Sequence, residues 1–226
     1  MDDKKVLAYE SDIGDFNGIV PAIKSVPLWY KKMPKKVKVK IDNQEQENIT
    51  AKVCVPFLDA LSTGYYMTLG QEIYVERVDD VPIIRYKNDP NPTGVRTPAQ
   101  TNPMPYPAGY EKINFVWHTN SAVILPEGYS AVYCHPLNRF ELPFFTVGAV
   151  VDADVAIPGG NIPFYLKEGF EGVIPKGTPI IQIIPFKRED WISKKVSGVN
   201  KIARDHQAKG PHDWYRKFAW KRKTYK

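Results

Sequence analysis

The sequence has little of what metal centres and covalent frameworks are made from. It holds two cysteines, Cys54 and Cys134, and four histidines in 226 residues. Neither cysteine has a Cys-x-x-Cys partner or a nearby histidine pair, which argues against a zinc site. Free thiols in a reducing compartment are the expectation, not a disulfide. His118, His206 and His212 stand at no ligand spacing with an acid or a cysteine, so they read as surface or interface residues and no metal is expected. No apolar run approaches the ~18 residues of a membrane helix, and "MDDKKVLAYESD" lacks an apolar leader core. Neither a membrane partner nor secretion is expected. Gly159-Gly160 and Gly177 lack phosphate-loop or dinucleotide spacing. No Ser-His-Asp or Cys-His signature is visible, and Cys134 and His135 are adjacent, so on a strand they would face opposite sides.

Proline, by contrast, is abundant, at 20 residues. Proline interrupts helices and central strands, which predicts short extended segments and long ordered loops. The charge is unevenly spread. The chain carries +6 overall, yet residues 187–226 alone hold 13 Lys/Arg against 4 Asp/Glu, which leaves the rest mildly acidic. A second cluster, "KKMPKKVKVK" at 31–40, adds six lysines. Basic extensions on an acidic body suit a polyanionic surface or an acidic partner subunit.

Three regions follow. Residues 1–48 read as an extended Pro/Lys-rich arm in which Trp29 and Tyr30 dock on the body and "DNQEQEN" (42–48) is a loop. Residues 49–187 read as a β-rich body. Strands are predicted at "TAKVCVPF" (50–57), "YYMTLGQEIYVERV" (65–78) and "VPIIRYK" (81–87), the last two forming a hairpin. "PFLDALSTG" offers a short helix closed by Gly64. Residues 88–108, with six prolines, are a loop that is either functional or lies across a neighbour. Seven short strands between 112 and 187, among them "FFTVGAVVDAD" (144–154) and "TPIIQIIPFK" (178–187), give the spacing of a sandwich or barrel. Residues 188–226 form a basic, aromatic tail with a helix over about 199–208.

"GAVVDADVAIPGGN" (148–161) delivers Asp152 and Asp154 at a strand end, just before a Pro-Gly-Gly turn. Read on residues alone, the two acids either polarise a water or cap a turn. Gln182, alone in the apolar run "TPIIQIIPF", needs a hydrogen-bond partner, because burying it unpaired costs ~1–3 kcal/mol. His135, Asn138 and Arg139 in "HPLNR" either hold a phosphate or carboxylate or form a loop ion pair.

With "GAVVDAD" and "KGTPIIQIIPF", residues 113–187 resemble the dUTPase and dCTP-deaminase superfamily. The resemblance implies a β-clip core, mainly β, with an N-terminal β extension and short C-terminal basic helices. By the same analogy it implies a homotrimer. Asp152 would map onto the residue that orients the attacking water, with Asp154 beside it, and Gln182 onto a phosphate neighbour. Mg²⁺ would enter only with a nucleotide; otherwise no cofactor is expected. The sequence departs from that pattern: Val155 stands where the family has a nucleoside-packing tyrosine, the nearest candidate for the Pro-Arg-Ser-Gly phosphate motif is "HPLNR" (135–139), which has no serine, and a basic, aromatic tail stands in place of the glycine-rich C-terminal arm.

A longer set of segments, "VPLWYKKMP", "KVCVPFLDALSTGYYMTL", "EGYSAVYCHPLNR", "VVDADV" and "KGTPIIQIIPFKREDW", is similar to a family of tailed phages and some bacteria to which no activity attaches. The expectation is a non-enzymatic phage-type assembly protein; the β-clip analogy to head-decoration proteins of lambdoid phages implies a virion or capsid decoration or structural oligomer, acting in the particle or the host cytoplasm. The alternatives are a dUTPase-like nucleotide binder or hydrolase using Asp152 and Asp154, and a nucleic-acid binder acting through the tail. Trp29, Tyr30, Trp191, Trp214, Phe218 and Trp220 are the expected interface anchors, since tryptophan is enriched at binding centres.

Overall fold

In the computed structural model, residues 5–11, 18–155, 160–208 and 215–226 are described. The N-terminal part comprises strands β1 (Ala8–Ser11) and β2 (Ile19–Pro21), helix α1 (Leu28–Lys32), strands β3 (Lys36–Ile41) and β4 (Gln44–Ile49), and helix α2 (Val55–Ser62). Strands β5 (Tyr65–Thr68), β6 (Ile73–Val78), β7 (Val81–Tyr86) and β8 (Thr93–Val95) follow, then the short helix α3 (Pro98–Thr101). The second half contributes β9 (Phe115–His118), β10 (Ser121–Ile124), β11 (Tyr129–Cys134), β12 (Phe144–Thr146), β13 (Ala149–Val151) and β14 (Asn161–Leu166). β15 (Gly172–Ile174), β16 (Pro179–Lys187) and helix α4 (Val199–Ala208) complete the described elements of regular length.

The protein is mainly β, and the described strands pair antiparallel throughout. A five-stranded sheet runs β13-β11-β16-β5-β2, and a four-stranded sheet runs β12-β14-β9-β8. β15-β6-β7 forms a third, smaller sheet. Apolar faces of the three meet in one core. At its centre the Trp117 indole lies parallel to Phe164, with ring centroids 3.6 Å apart, and meets Phe144 edge-on. The indole N–H is satisfied by Thr146 at 3.1 Å, and the Thr146 hydroxyl donates to the Ile180 carbonyl at 2.6 Å. That buried relay ties the two larger sheets together.

Five segments differ from expectation. "TAKVCVPF" is not a strand: Thr50 accepts from the Lys52 amide to start a 3-10 turn, and Pro56 falls in the first turn of α2, where its missing N–H costs nothing. "DNQEQEN" is not a loop: Asp42 and Asn43 take left-handed conformations and reverse the chain into the β3–β4 hairpin. "YYMTLGQEIYVERV" and "FFTVGAVVDAD" are each two strands in two sheets. The chain changes sheet at Leu69–Glu72 and at Val147–Gly148, as strands at sandwich corners do. The proline-rich stretch 88–108 contains β8 and α3, the latter opened by a Thr97–Gln100 capping box.

β16 is buried over its first five residues, so it is covered on both faces. Gly64, at the end of α2, passes so close to it that a Cβ would sit 2.1 Å from the Ile183 carbonyl oxygen, and its φ is +71°. Only glycine fits there. No described helix is long and apolar enough to cross a membrane.

Candidate functional site

The Asp-x-Asp stretch takes its geometry from Ala153. That residue is fully buried; Asp152 before it faces solvent, and Asp154 after it is largely covered. Asp152 accepts a 2.6 Å hydrogen bond from the Ser130 hydroxyl. Asp154 accepts from the Gly128 amide at 3.1 Å, and both its oxygens are held by the Arg188 guanidinium in a bidentate pair. Arg188 lies 3.6 Å from Asp152 as well. It also donates to the Tyr129 carbonyl and the Ser130 hydroxyl, each at 3.2 Å. The guanidinium and the Gly128 amide together hold the Asp154 carboxyl down to about 2. One cation therefore serves two carboxylates, at the point where β16 ends and the basic tail departs.

The other predicted residues lie at the far end of β11. Asp152 bonds Ser130, whereas Gln182 stands opposite Cys134. Four residues of strand, about 13 Å, separate the two, so Asp152 and Asp154 do not share a cleft with Gln182 in this chain. The Gln182 side chain is fully buried. Its oxygen accepts from the Leu137 amide at 2.7 Å, and its nitrogen donates to the carbonyls of Ala60 (3.0 Å) and Thr63 (2.7 Å). These bonds join β16 to the end of α2 and to the "HPLNR" turn, in which Asn138 supplies the left-handed residue.

His135 lies beneath that turn. The Thr146 amide donates to its Nδ1 at 3.3 Å, so the proton sits on Nε2, which faces the Arg139 carbonyl at 3.4 Å. Burial against Phe144 and Phe145 pushes the imidazole down to about 4. Arg139 pairs with Glu141, donates to the Ser25 carbonyl at 3.3 Å and lies over the Tyr66 ring. Burial raises the neighbouring Cys134 thiol to about 11, which makes it a weak nucleophile at neutral pH. Both cysteines are free thiols. Among the described residues no cluster of three or more metal-ligating side chains occurs.

The predicted anchors divide. The Trp29 indole donates to Glu141 at 3.0 Å, and Tyr30 is buried, stacked on Phe57 with Lys52 over its other face. Trp220 donates to both oxygens of Asp59, at 3.1 and 3.2 Å, and Lys223 reaches the same carboxylate. Tyr225 packs edge-on against Tyr65. The last residues thus clasp α2 and β5 of their own chain. Trp191 is 86% exposed and Phe218 74%. Trp214 and His212 lie outside the described residues.

The chain matches no protein-family model, and a search of curated proteins finds no match. Arg188 and Ser130 were not among the residues singled out from sequence. The signal for Arg188 was its place directly after the last apolar strand, where register sets it beside the residues flanking β11.

Proposed function

We propose that this protein is a non-enzymatic assembly protein of the tailed-phage type, working as a homo-oligomer with a β-clip core. The observation that carries the reading is the segment that follows Arg188. It leaves the body without regular structure as far as Gly198, and it presents two adjacent apolar side chains, Trp191 at 86% and Ile192 at 93% exposure. A contiguous apolar pair on an arm favours burial against another chain. The Asp152–Asp154–Arg188 cluster fits this role, because it fixes the direction in which the arm departs. A trimer follows from the β-clip analogy.

Nucleotide chemistry has weaker support. The carboxylates that would hold water or Mg²⁺ are paired with Arg188, and the amide expected near the phosphates is engaged in three internal bonds. Nucleic-acid binding through stacked aromatics also has weaker support, because Trp220 and Tyr225 turn toward the body.

The test is native mass spectrometry and light scattering of the full chain at micromolar concentration, with Trp191→Asp/Ile192→Asp beside it. A defined oligomer that the double variant dissociates supports the proposal. A monomer that hydrolyses or binds a nucleoside triphosphate, with loss in Asp152→Asn, overturns it.

A further inference from the structure

We propose that the pocket walled by the proline-rich loop binds a small organic anion with an apolar body. The pocket, about 850 Å³, opens between residues 95–106 and the chain entering β9, with Tyr165 of β14 also lining it. That volume suits a metabolite-sized ligand. Met104, Tyr106 and Ile113 give it an apolar wall, and three prolines of the loop restrict how far that wall can collapse.

Its charged groups are of one sign. Arg96 and Lys112 line the pocket, and no carboxylate does so among the described residues. The adjacent Glu111 is already taken: Arg77 donates to it at 2.5 Å and the Gly169 amide at 3.0 Å. Arg96 is correspondingly short of partners. Its Nη2 meets the Asn161 carbonyl only at 3.5 Å, and its buried Nε has none. The pocket therefore carries positive charge that no carboxylate among the described residues answers.

Asn114 supplies the second observation. It lines the pocket, is 2% exposed, and leaves both its amide oxygen and its amide nitrogen without a hydrogen-bond partner. Most buried side-chain polar atoms in folded proteins are paired, and leaving one unpaired costs about 1–3 kcal/mol. Three unpaired polar atoms, a guanidinium N–H and a complete amide, are buried just beneath the lining of one pocket, where a bound ligand would pair them once the lining shifts. A carboxylate or phosphate would take the guanidinium and ammonium, an apolar body would lie against Met104 and Tyr106, and a group that both donates and accepts would pair with Asn114 once the loop wall shifts to uncover the amide. The site is independent of the proposed assembly role.

The experiment titrates 1-naphthoate, 1-naphthyl phosphate and neutral 1-naphthol separately into the ¹⁵N-labelled full chain and follows backbone amide shifts. At least one anion is expected to move the signals of Val95, Met104, Tyr106 and Asn114 and to bind about tenfold more tightly than naphthol. Whichever of the two binds identifies the anionic group. Arg96→Gln/Lys112→Gln, checked as folded by its dispersed spectrum, is expected to remove that tenfold preference and leave naphthol unchanged. Asn114→Leu is expected to raise the thermal midpoint of the empty protein, because it removes the unpaired amide. Equal affinity for naphthol, shifts that map elsewhere, no shift at millimolar anion, or an anion preference that survives the double substitution would overturn the proposal.

Discussion

Individual side chains in this protein carry opposite kinds of cost. Gln182 is buried and completely bonded, so its removal strands the Leu137 amide and the carbonyls of Ala60 and Thr63. Gln182→Leu should therefore destabilise by at least about 2 kcal/mol, read as a lower urea midpoint with the slope unchanged. Gly64→Ala should cost a similar amount, about 2 kcal/mol or more, because a left-handed backbone and the Ile183 carbonyl both oppose a Cβ. His135 predicts a pH dependence. Its folded value, about 4, lies below the ordinary 6.5, so between those limits the unfolded chain binds the extra proton. Stability from this group is complete above pH 6.5, falls as pH drops toward 4 and is then gone, a total of at most about 3 kcal/mol. Urea titrations at pH 7, 5.5 and 4.5 should show the decline, and His135→Gln should lack that part of it. Asp154 behaves in the same direction but lower. Its folded value near 2 is depressed, so its contribution persists above the ordinary carboxylate range and is lost as pH falls from about 3.8 toward 2. In sequence, the need for a partner at Gln182 was legible from one polar residue in an apolar run. The partners were not, because they come from α2 and the turn after β11, 45 or more residues away.

At the scale of elements, the C-terminal clasp depends on one residue of α2. Asp59 receives the Trp220 indole and the Lys223 ammonium together. Asp59→Ala should release residues 220–226 and leave the sheets intact. Hydrogen exchange should quicken in that segment alone, and the free energy of global unfolding should change by no more than about 1 kcal/mol, the usual range for a partly exposed ion pair. The hairpin readings show which signals travel through sequence. β6 and β7 were legible because apolar and β-branched residues flank an Asp-Asp turn, both of whose residues are left-handed in the structure. β3 and β4 turn on Asp42-Asn43 with the same φ values, 48° and 64°, yet β4 has the polar composition of a loop. It pairs with β3 through the backbone ladder, with Lys36–Glu47 and Lys38–Glu45 set across the strands, and nearly every residue of the hairpin faces solvent. β4 (QEQENI) therefore carries no hydrophobic alternation, the signal for a half-buried strand, although β3 (KVKVKI) does.

For the whole molecule, charge and architecture are separable. The excess of cations lies after residue 186 and the remainder is mildly acidic, so in the proposed assembly one copy's tail and another's body would attract each other. The assembly proposed above should lose stability between low and half-molar salt, as measured by the monomer fraction in light scattering. Deletion of residues 188–226 should give a folded body that no longer associates. A body that still forms the same oligomer would place the contacts in the sheets. The core supports independent folding of that body, because Trp117, Phe144, Phe164 and the apolar residues of β16 lie within the three sheets.

Sequence alone determined that the chain is mainly β, that short strands are broken by proline, and that a basic tail with a helix at 199–208 follows. Periodicity and turn chemistry act over a few residues, so they are written locally. Tertiary structure alone decided that two apparent strands split between sheets and that Arg188 closes over both aspartates. It also decided that Gln182 is a structural bond rather than an open amide, and that Arg96 and Asn114 line one pocket with polar atoms unpaired. Those outcomes depend on which distant segments become neighbours, and burial of a shared core, not any local preference, fixes that.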